Sequence, residues 1–137
     1  MYKLITFIAI LALASMACGI TIPRAPEPGP EVTDEISVNY PDAETTTLEF
    51  NFGAGELILA PGAERLVDGT ATYIYVEFKP EIIEDGGNVE IKMGGVELPN
   101  FPAFDNLKNE WDFQFGSEPM DLVIKSGAYD GTFEFGG

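Results

Sequence analysis

Apolar and polar residues alternate along most of the chain after Ile36. A period of two is typical of β-strands that bury one face, and these runs are rich in β-branched and aromatic residues. The runs lie at residues 47–52, 72–78, 110–115 and 132–135. No window has the spacing of an amphipathic helix, and glycine and proline residues separate the runs. The sequence therefore predicts an all-β domain.

Three short segments share a design in which an acidic or amide residue starts an apolar strand that ends near a glycine. They are residues 56–59 before Gly62, 88–92 before Gly95 and 121–125 before Gly127, and the glycines lie about 32 residues apart. Residues 50–53 and 113–116 form a second similar pair. Because one such unit cannot bury its apolar side alone, the repeat predicts a stack of strands, a β-solenoid-like fold.

A β-sandwich is the alternative fold, because hairpins also need glycine turns. Asp68-Gly69, Asp85-Gly86 and Asp130-Gly131 are the candidate hairpin turns. Of these, Asp85-Gly86-Gly87-Asn88 has the composition that best fits a hairpin.

The first residues have the features of an export signal. Lys3 precedes an apolar run that is shorter than the roughly 20 residues of a transmembrane helix, and small residues precede Cys18, the single cysteine. Either Cys18 is the lipid-attachment residue of a lipoprotein, or ordinary cleavage occurs beside it. We expect a signal peptide at 1–17, a disordered linker rich in proline and acidic residues at 18–35, and a folded domain at 36–137.

The charge of the chain narrows the classes of partner. The formal net charge is −16, from 23 acidic and 7 basic residues. Nucleic acid is excluded as a partner, since affinity for phosphates depends on Lys and Arg. Contact with a membrane is then expected only through a lipid on Cys18, and the protein is expected in the bacterial cell envelope or, as the alternative, secreted.

Residues suited to catalysis or to metal binding are few. The chain has no histidine, which excludes Ser-His-Asp, Cys-His and histidine-metal sites. Glu56, Glu90 and Asp112 are carboxylates on predicted strands, so a glycan-processing enzyme is one alternative. Asp85-Gly86-Gly87-Asn88 and Asp130-Gly131 offer oxygen ligands for calcium, but turn chemistry explains them without an ion. We expect no cofactor and no resident metal.

Two aromatic features have two interpretations each. Phe101-Pro102-Ala103-Phe104 either contacts a partner or folds over the open end of the core. Trp111 alternates with Phe113 and Phe115, so a core position is expected, with carbohydrate stacking as the alternative.

Residues 52–59 with Gly62-Ala63, and residues 109–112 with Asp121-Leu122 and 127–131, resemble the toast-rack domains of exported bacterial proteins. The resemblance implies a β-solenoid-like fold without a catalytic site. It extends to the extracytoplasmic domain of LiaF-type regulators of envelope stress and to adhesin-like β-helical proteins. LiaF-type proteins carry several membrane helices before this domain, whereas this chain shows an export signal and a linker.

The sequence ends at residues 133–137, where the family pattern would continue. We expect either a shortened sequence or a domain that ends on an open strand, whose unpaired edge favours self-association. The function expected is a non-enzymatic, envelope-anchored binding or structural module of the adhesin type, with an envelope protein or the cell wall as partner. The alternatives are a regulator resembling LiaF and the carboxylate enzyme.

Overall fold

The structure is a computed structural model that describes residues 27–94 and 107–136. Its seven strands belong to one sheet. They are β1 (Val32–Val38), β2 (Thr47–Pro61), β3 (Val67–Tyr73), β4 (Pro80–Asp85), β5 (Asn88–Met93), β6 (Asn109–Phe115) and β7 (Asp121–Phe133), with a short 3₁₀ helix at Val76–Phe78. The predicted signal peptide, Cys18, Gly95 and residues 101–104 lie outside the described residues. Within the described ranges no helix is long and apolar enough to cross a membrane.

The longest strand, β2, organises the sheet. One of its edges pairs in parallel with β5 along residues 47–51 and with β6 along residues 56–61. Its other edge pairs in parallel with β7 along residues 47–59. β4 joins β5 in antiparallel pairing, and β3 followed by β1 extends the sheet from β6 in the same way. The sheet therefore rises in levels, with β7 at one end, β2 next, and β5 and β6 end to end on the third level.

β2 bends at a corner formed by residues 53–55. Leu48, Phe50 and Phe52 are buried before the corner and Ala54 is buried within it. After the corner Leu57 and Leu59 are buried, so the alternation shifts by one residue. Gly55 has a φ of 127°, and a side chain there would overlap the carbonyl oxygen of Asn109. This combination restricts the position to glycine, because the backbone lies in a region that other residues rarely adopt and β6 starts against it.

The core lies inside the curl of the sheet. Trp111 is fully buried, with its ring centroid 4.9 Å from that of Phe52 and 5.5 Å from that of Phe113. Phe50 stacks on Phe113 at 5.8 Å. The prediction that Trp111 belongs to the core is confirmed, and so is the all-β, solenoid-like architecture. All seven described strands form a single curled sheet, which is not the two-sheet arrangement of a sandwich.

The predicted stack of strands is confirmed, but the segments predicted to be equivalent do not occupy equivalent positions in it. Residues 88–92 and 121–125 flank the same stretch of β2, residues 47–51, on opposite edges. Residues 56–59 lie further along β2 and pair with β6 and with the second half of β7. The two similar phenylalanine segments are also out of register, because Phe50 pairs with Ile124 and Phe113 pairs with Leu59. Which residues pair in a parallel stack depends on the level that each strand occupies. Sequence similarity over a few residues does not indicate that level.

The predicted strand at residues 72–78 was wrong beyond Tyr73. The chain leaves β3 there and forms the 3₁₀ helix, in which the Phe78 N–H donates to the Tyr75 carbonyl at 2.9 Å. The rings of Tyr75 and Phe78 pack edge to face at 5.4 Å, and both are buried. Burial of both rings at the end of the core therefore overrides the β-propensity of this run.

Of the three candidate hairpin turns, one forms a turn and two lie inside strands. Asp85 and Asn88 face each other across the β4–β5 turn, and Gly86 has a φ of 59°. A positive φ at the first central residue is the requirement of a type II′ hairpin turn, so the predicted hairpin is confirmed. Gly69 and Gly131 lie inside β3 and β7, so their Asp-Gly pairs do not form turns.

β1 begins at Val32, so the last four residues of the segment assigned to the linker, residues 32–35, are strand residues. Val32, Ile36 and Val38 follow the alternation, but Asp34 interrupts it at a position where an apolar residue is expected. The structure resolves this conflict with a hydrogen bond, since the Tyr73 hydroxyl donates to Asp34 Oδ2 at 2.7 Å.

Candidate functional site

Three carboxylates stand side by side on the outer face of the sheet, just after the corner. Glu56 of β2 is in register with Glu110 of β6 on one edge and with Asp130 of β7 on the other. Adjacent strands lie about 4.8 Å apart, so the three residues form a row across three levels, here called the acidic ladder. With Lys108 and Tyr129 the ladder lines an open cleft of about 460 Å³.

One cation accompanies this row. Lys108 Nζ lies 2.8 Å from Glu110 Oε2, and both side chains are about two-fifths exposed. The hydrogen bond to Glu110 raises the pKa of Lys108, and the charges of Glu31 and Glu56 act in the same direction. Three carboxylates against one ammonium leave the cleft with a negative charge that favours cationic groups on a partner.

Asn109 fixes the position of the cleft relative to the corner. Its Nδ2 donates to the Ala54 carbonyl at 2.7 Å and lies 3.3 Å from the Met93 sulfur. Its Oδ1 is buried and has no hydrogen-bond donor among the described residues. The Nδ2 bond ties the first residue of β6 to the bend of β2, so Glu110 is held beside Glu56 rather than one position away.

The first half of the outer face has a different charge pattern. Lys125 Nζ of β7 lies 2.7 Å from Glu49 Oε1, and Lys92 Nζ of β5 lies 3.3 Å from Glu81 Oε2. The hydrogen bond to Glu49 raises the pKa of Lys125. Each of these two lysines is paired with a carboxylate, whereas at the acidic ladder one lysine stands against three carboxylates.

The structure does not bring the three predicted carboxylates together. Glu56 belongs to the acidic ladder, and Asp112 lies two residues beyond Glu110 on the same face. Glu90 is in register with Glu49, before the corner, seven positions along β2 from Glu56. Seven strand residues correspond to roughly 20 Å, too far for the paired carboxylates of a glycosidase.

The predicted calcium ligands are also separated. Asp85 and Asn88 close the β4–β5 hairpin, where Asn88 Nδ2 donates to the Asp85 carbonyl at 3.4 Å, while Asp130 lies within β7. Among residues 27–94 and 107–136 no group of three or more acidic, cysteine or histidine side chains is arranged to hold a metal ion.

A second polar contact lies at the β1–β3 end of the sheet. Burial, followed by the hydrogen bond to Asp34, raises the pKa of Tyr73 to about 12. The same hydrogen bond, together with Lys79 Nζ at 3.4 Å, lowers the pKa of Asp34. This pair joins two strands at a partly buried position, so its role is structural.

Sequence reasoning missed Glu110 and Lys108. Neither residue is unusual within its own segment. They lie beside Glu56 only because of the register between β2 and β6. The available signal was the outward position of Glu110 in the alternating run 110–115, on the face opposite that of Trp111.

Comparisons with known proteins agree with this fold. The family model for the N-terminal domain of toast-rack proteins, DUF2154, matches residues 27–137. A crystal structure of a "putative cell adhesion protein" from Clostridium sporogenes ATCC 15579 superposes with a TM-score of 0.63 and 28% sequence identity over 77% of this chain. The chain spans 50% of the length of that protein. Among curated proteins no match is found. The chain belongs to the toast-rack family.

Proposed function

We propose that this toast-rack protein is a non-enzymatic binding module of the bacterial cell envelope that contacts a cationic partner through the acidic ladder. The observation that carries the proposal is the likeness to the Clostridium sporogenes structure, which covers 77% of the chain and is named for cell adhesion. The protein acts by presenting a fixed surface.

The geometry of the outer face supports binding rather than turnover. The ladder carboxylates stand in a row, one from each strand, and Lys108 engages Glu110. Glycoside hydrolysis needs two carboxyl groups on opposite sides of a bound sugar. A row on one face instead matches successive positive groups of a basic polypeptide or polymer, because strand spacing repeats at about 4.8 Å.

The anchoring is proposed to occur through a lipid on Cys18. Replacement of Cys18 by Ser tests it, since fatty-acid labelling and membrane fractionation should both be lost. If the protein stays in the membrane fraction after this replacement, lipid anchoring is wrong.

Binding is tested with the exported protein and immobilised envelope material, in low and high salt. The double variant Glu56→Gln with Glu110→Gln removes two ladder charges and should weaken binding about tenfold or more, with a smaller salt dependence. The matched control, Glu81→Gln with Glu84→Gln, removes two charges from β4 and should change binding little. Equal loss in both variants would mean that net charge, not the ladder, governs binding.

Two further assays separate the alternatives. Hydrolysis of wall glycans that is lost in Glu56→Gln or Glu110→Gln would replace the binding module with an enzyme. Crosslinking in cells, with and without a cell-wall antibiotic, would favour a LiaF-like regulator if a sensor kinase is captured in a stress-dependent way.

A further inference from the structure

We infer that Met93 is an oxidation site, and that its conversion to the sulfoxide loosens the corner and with it the acidic ladder. Met93 is the last residue of β5 and is partly buried against the core. Residues 27–94 and 107–136 contain one other methionine, Met120, and no cysteine. The effect of oxidation on binding rests on the proposed function, whereas its effect on the corner does not.

The Met93 side chain contacts both strands that meet at the corner. Its Sδ lies 3.3 Å from Nδ2 of Asn109, the first residue of β6. Its methyl carbon Cε lies against Gly53 of β2, where any side chain would overlap it. The thioether therefore touches β2 and β6 at the point where the alternation of β2 shifts.

The backbone on the other side of Met93 is fixed. Met93 pairs with Pro80 of β4, and the N–H of Gly94 donates to the Lys79 carbonyl at 3.4 Å. A backbone shift that made room around the sulfur would disturb this pairing. A larger group at the sulfur must therefore be accommodated at the corner itself.

The hydrogen-bond donors around the sulfur are already in use. The amide nitrogen of an asparagine carries two hydrogens. Nδ2 of Asn109 donates to the Ala54 carbonyl at 2.7 Å and to the Met93 sulfur. Oδ1 of the same side chain is buried and has no donor among the described residues. The amide thus has no free hydrogen for a further acceptor.

Hydrogen peroxide supplies the oxygen in the reaction that we consider. A lone pair of the Met93 sulfur attacks one peroxide oxygen, so the S–O bond forms as the O–O bond breaks. The departing hydroxide takes the proton of the transferred oxygen and leaves as water. Sulfur gives up two electrons and the peroxide is reduced. The product is a polar methionine sulfoxide, which methionine sulfoxide reductases return to the thioether.

The sulfoxide conflicts with the contacts of Asn109. A thioether sulfur is a weak acceptor, whereas the sulfoxide is polar and its oxygen competes for the same hydrogens. The new oxygen either pushes the sulfur away from Asn109 or takes the hydrogen that is bonded to Ala54. Both results loosen the bond that ties β6 to the bend of β2. Because that bond holds Glu110 beside Glu56, oxidation should weaken the acidic ladder as well as the fold.

The test treats the exported protein with hydrogen peroxide and compares the unmodified chain with Met93→Leu and Met120→Leu. Leucine is close to methionine in volume and forms no sulfoxide. Met120 is the matched control, because it lines an open surface cleft before β7, where a sulfoxide oxygen can meet solvent. Peptide mapping by mass spectrometry locates each added oxygen, and urea unfolding measures stability before and after treatment.

Oxidation should act through Met93 alone. In the unmodified protein and in Met120→Leu, the sulfoxide should raise the equilibrium constant of unfolding about tenfold. Binding to immobilised envelope material should weaken by a similar factor. In Met93→Leu the same treatment should leave both quantities nearly unchanged.

Three results would overturn the inference. They are an equal loss of stability in Met93→Leu, a sulfoxide at Met93 with unchanged unfolding, and a Met93 that gains no oxygen when Met120 is fully oxidised. If Met93→Leu does not fold, Met120→Leu decides the question, because mapping then relates the change to Met93. Failure of the untreated protein to bind envelope material would contradict the proposed function, while the unfolding measurement still tests the oxidation site.

Discussion

Replacement of Gly55 by Ala tests the corner directly, and Gly86→Ala is its matched control. Both glycines have positive φ, 127° at Gly55 and 59° at Gly86. A side chain at Gly86 meets nothing within 4 Å, whereas one at Gly55 overlaps the Asn109 carbonyl. Both variants therefore strain the backbone, Gly55→Ala more than Gly86→Ala because 127° lies outside the left-handed region that alanine can adopt, and they also differ in crowding.

The expected magnitudes follow from these two contributions. Left-handed backbone costs about 1–2 kcal/mol for alanine, and the reduced entropy of the unfolded chain offsets about 0.4–1 kcal/mol. Gly86→Ala should therefore lower the free energy of unfolding by about 1 kcal/mol. At Gly55 the strain is about 1–3 kcal/mol and displacement of a β6 backbone atom adds roughly 1–3 kcal/mol, so after the same entropy offset a loss of about 3 kcal/mol is expected.

Urea unfolding of the purified protein measures both losses. The single tryptophan, Trp111, is fully buried, so its fluorescence reports exposure of the core. A difference of about 2 kcal/mol between the variants corresponds to at least about 8 °C in Tm for a domain of about 100 residues. If the two variants lose the same stability, the close approach of β6 to the corner is wrong.

Three further substitutions test individual contacts. Trp111→Phe should change stability by less than about 1 kcal/mol, because the small cavity is offset by removal of a buried N–H with no acceptor among the described residues; a loss above 3 kcal/mol in urea unfolding would contradict this. Asn109→Ala should cost about 1–3 kcal/mol in the same assay, since it leaves the Ala54 carbonyl without its donor. Burial and Asp34 raise the pKa of Tyr73 to about 12, so its stabilising contribution is complete below about pH 10 and disappears as the pH rises to about 12. Tyr73→Phe should remove that alkaline loss, and it should bring the pKa of Asp34, measured by NMR titration, back towards its ordinary value.

The strands were predictable where alternation is local and uninterrupted. Residues 47–52 and 110–115 lie in β2 and β6, because inward Leu48, Phe50 and Trp111 alternate with polar residues. The sequence did not predict which strands lie on neighbouring levels of the stack. Thr47 pairs with Asn88 on one edge and with Asp121 on the other, so the order of the stack depends on contacts between distant segments.

The candidate site was predictable to the same extent. Glu56 was identified from its outward position on a strand, but its neighbours Glu110 and Asp130 follow from register. Register in turn depends on Gly55, whose positive φ cannot be distinguished by composition from that of a turn glycine. The acidic ladder is thus a property of the corner rather than of any one segment.

The corner also determines what the binding test can separate. It sets Glu56 beside Glu110, which builds the acidic ladder. A change at Gly55 should therefore weaken partner binding through the fold, together with the free energy of unfolding. Loss of the Glu56 and Glu110 charges should weaken binding and leave the unfolding transition nearly unchanged, because surface carboxylates contribute little to stability.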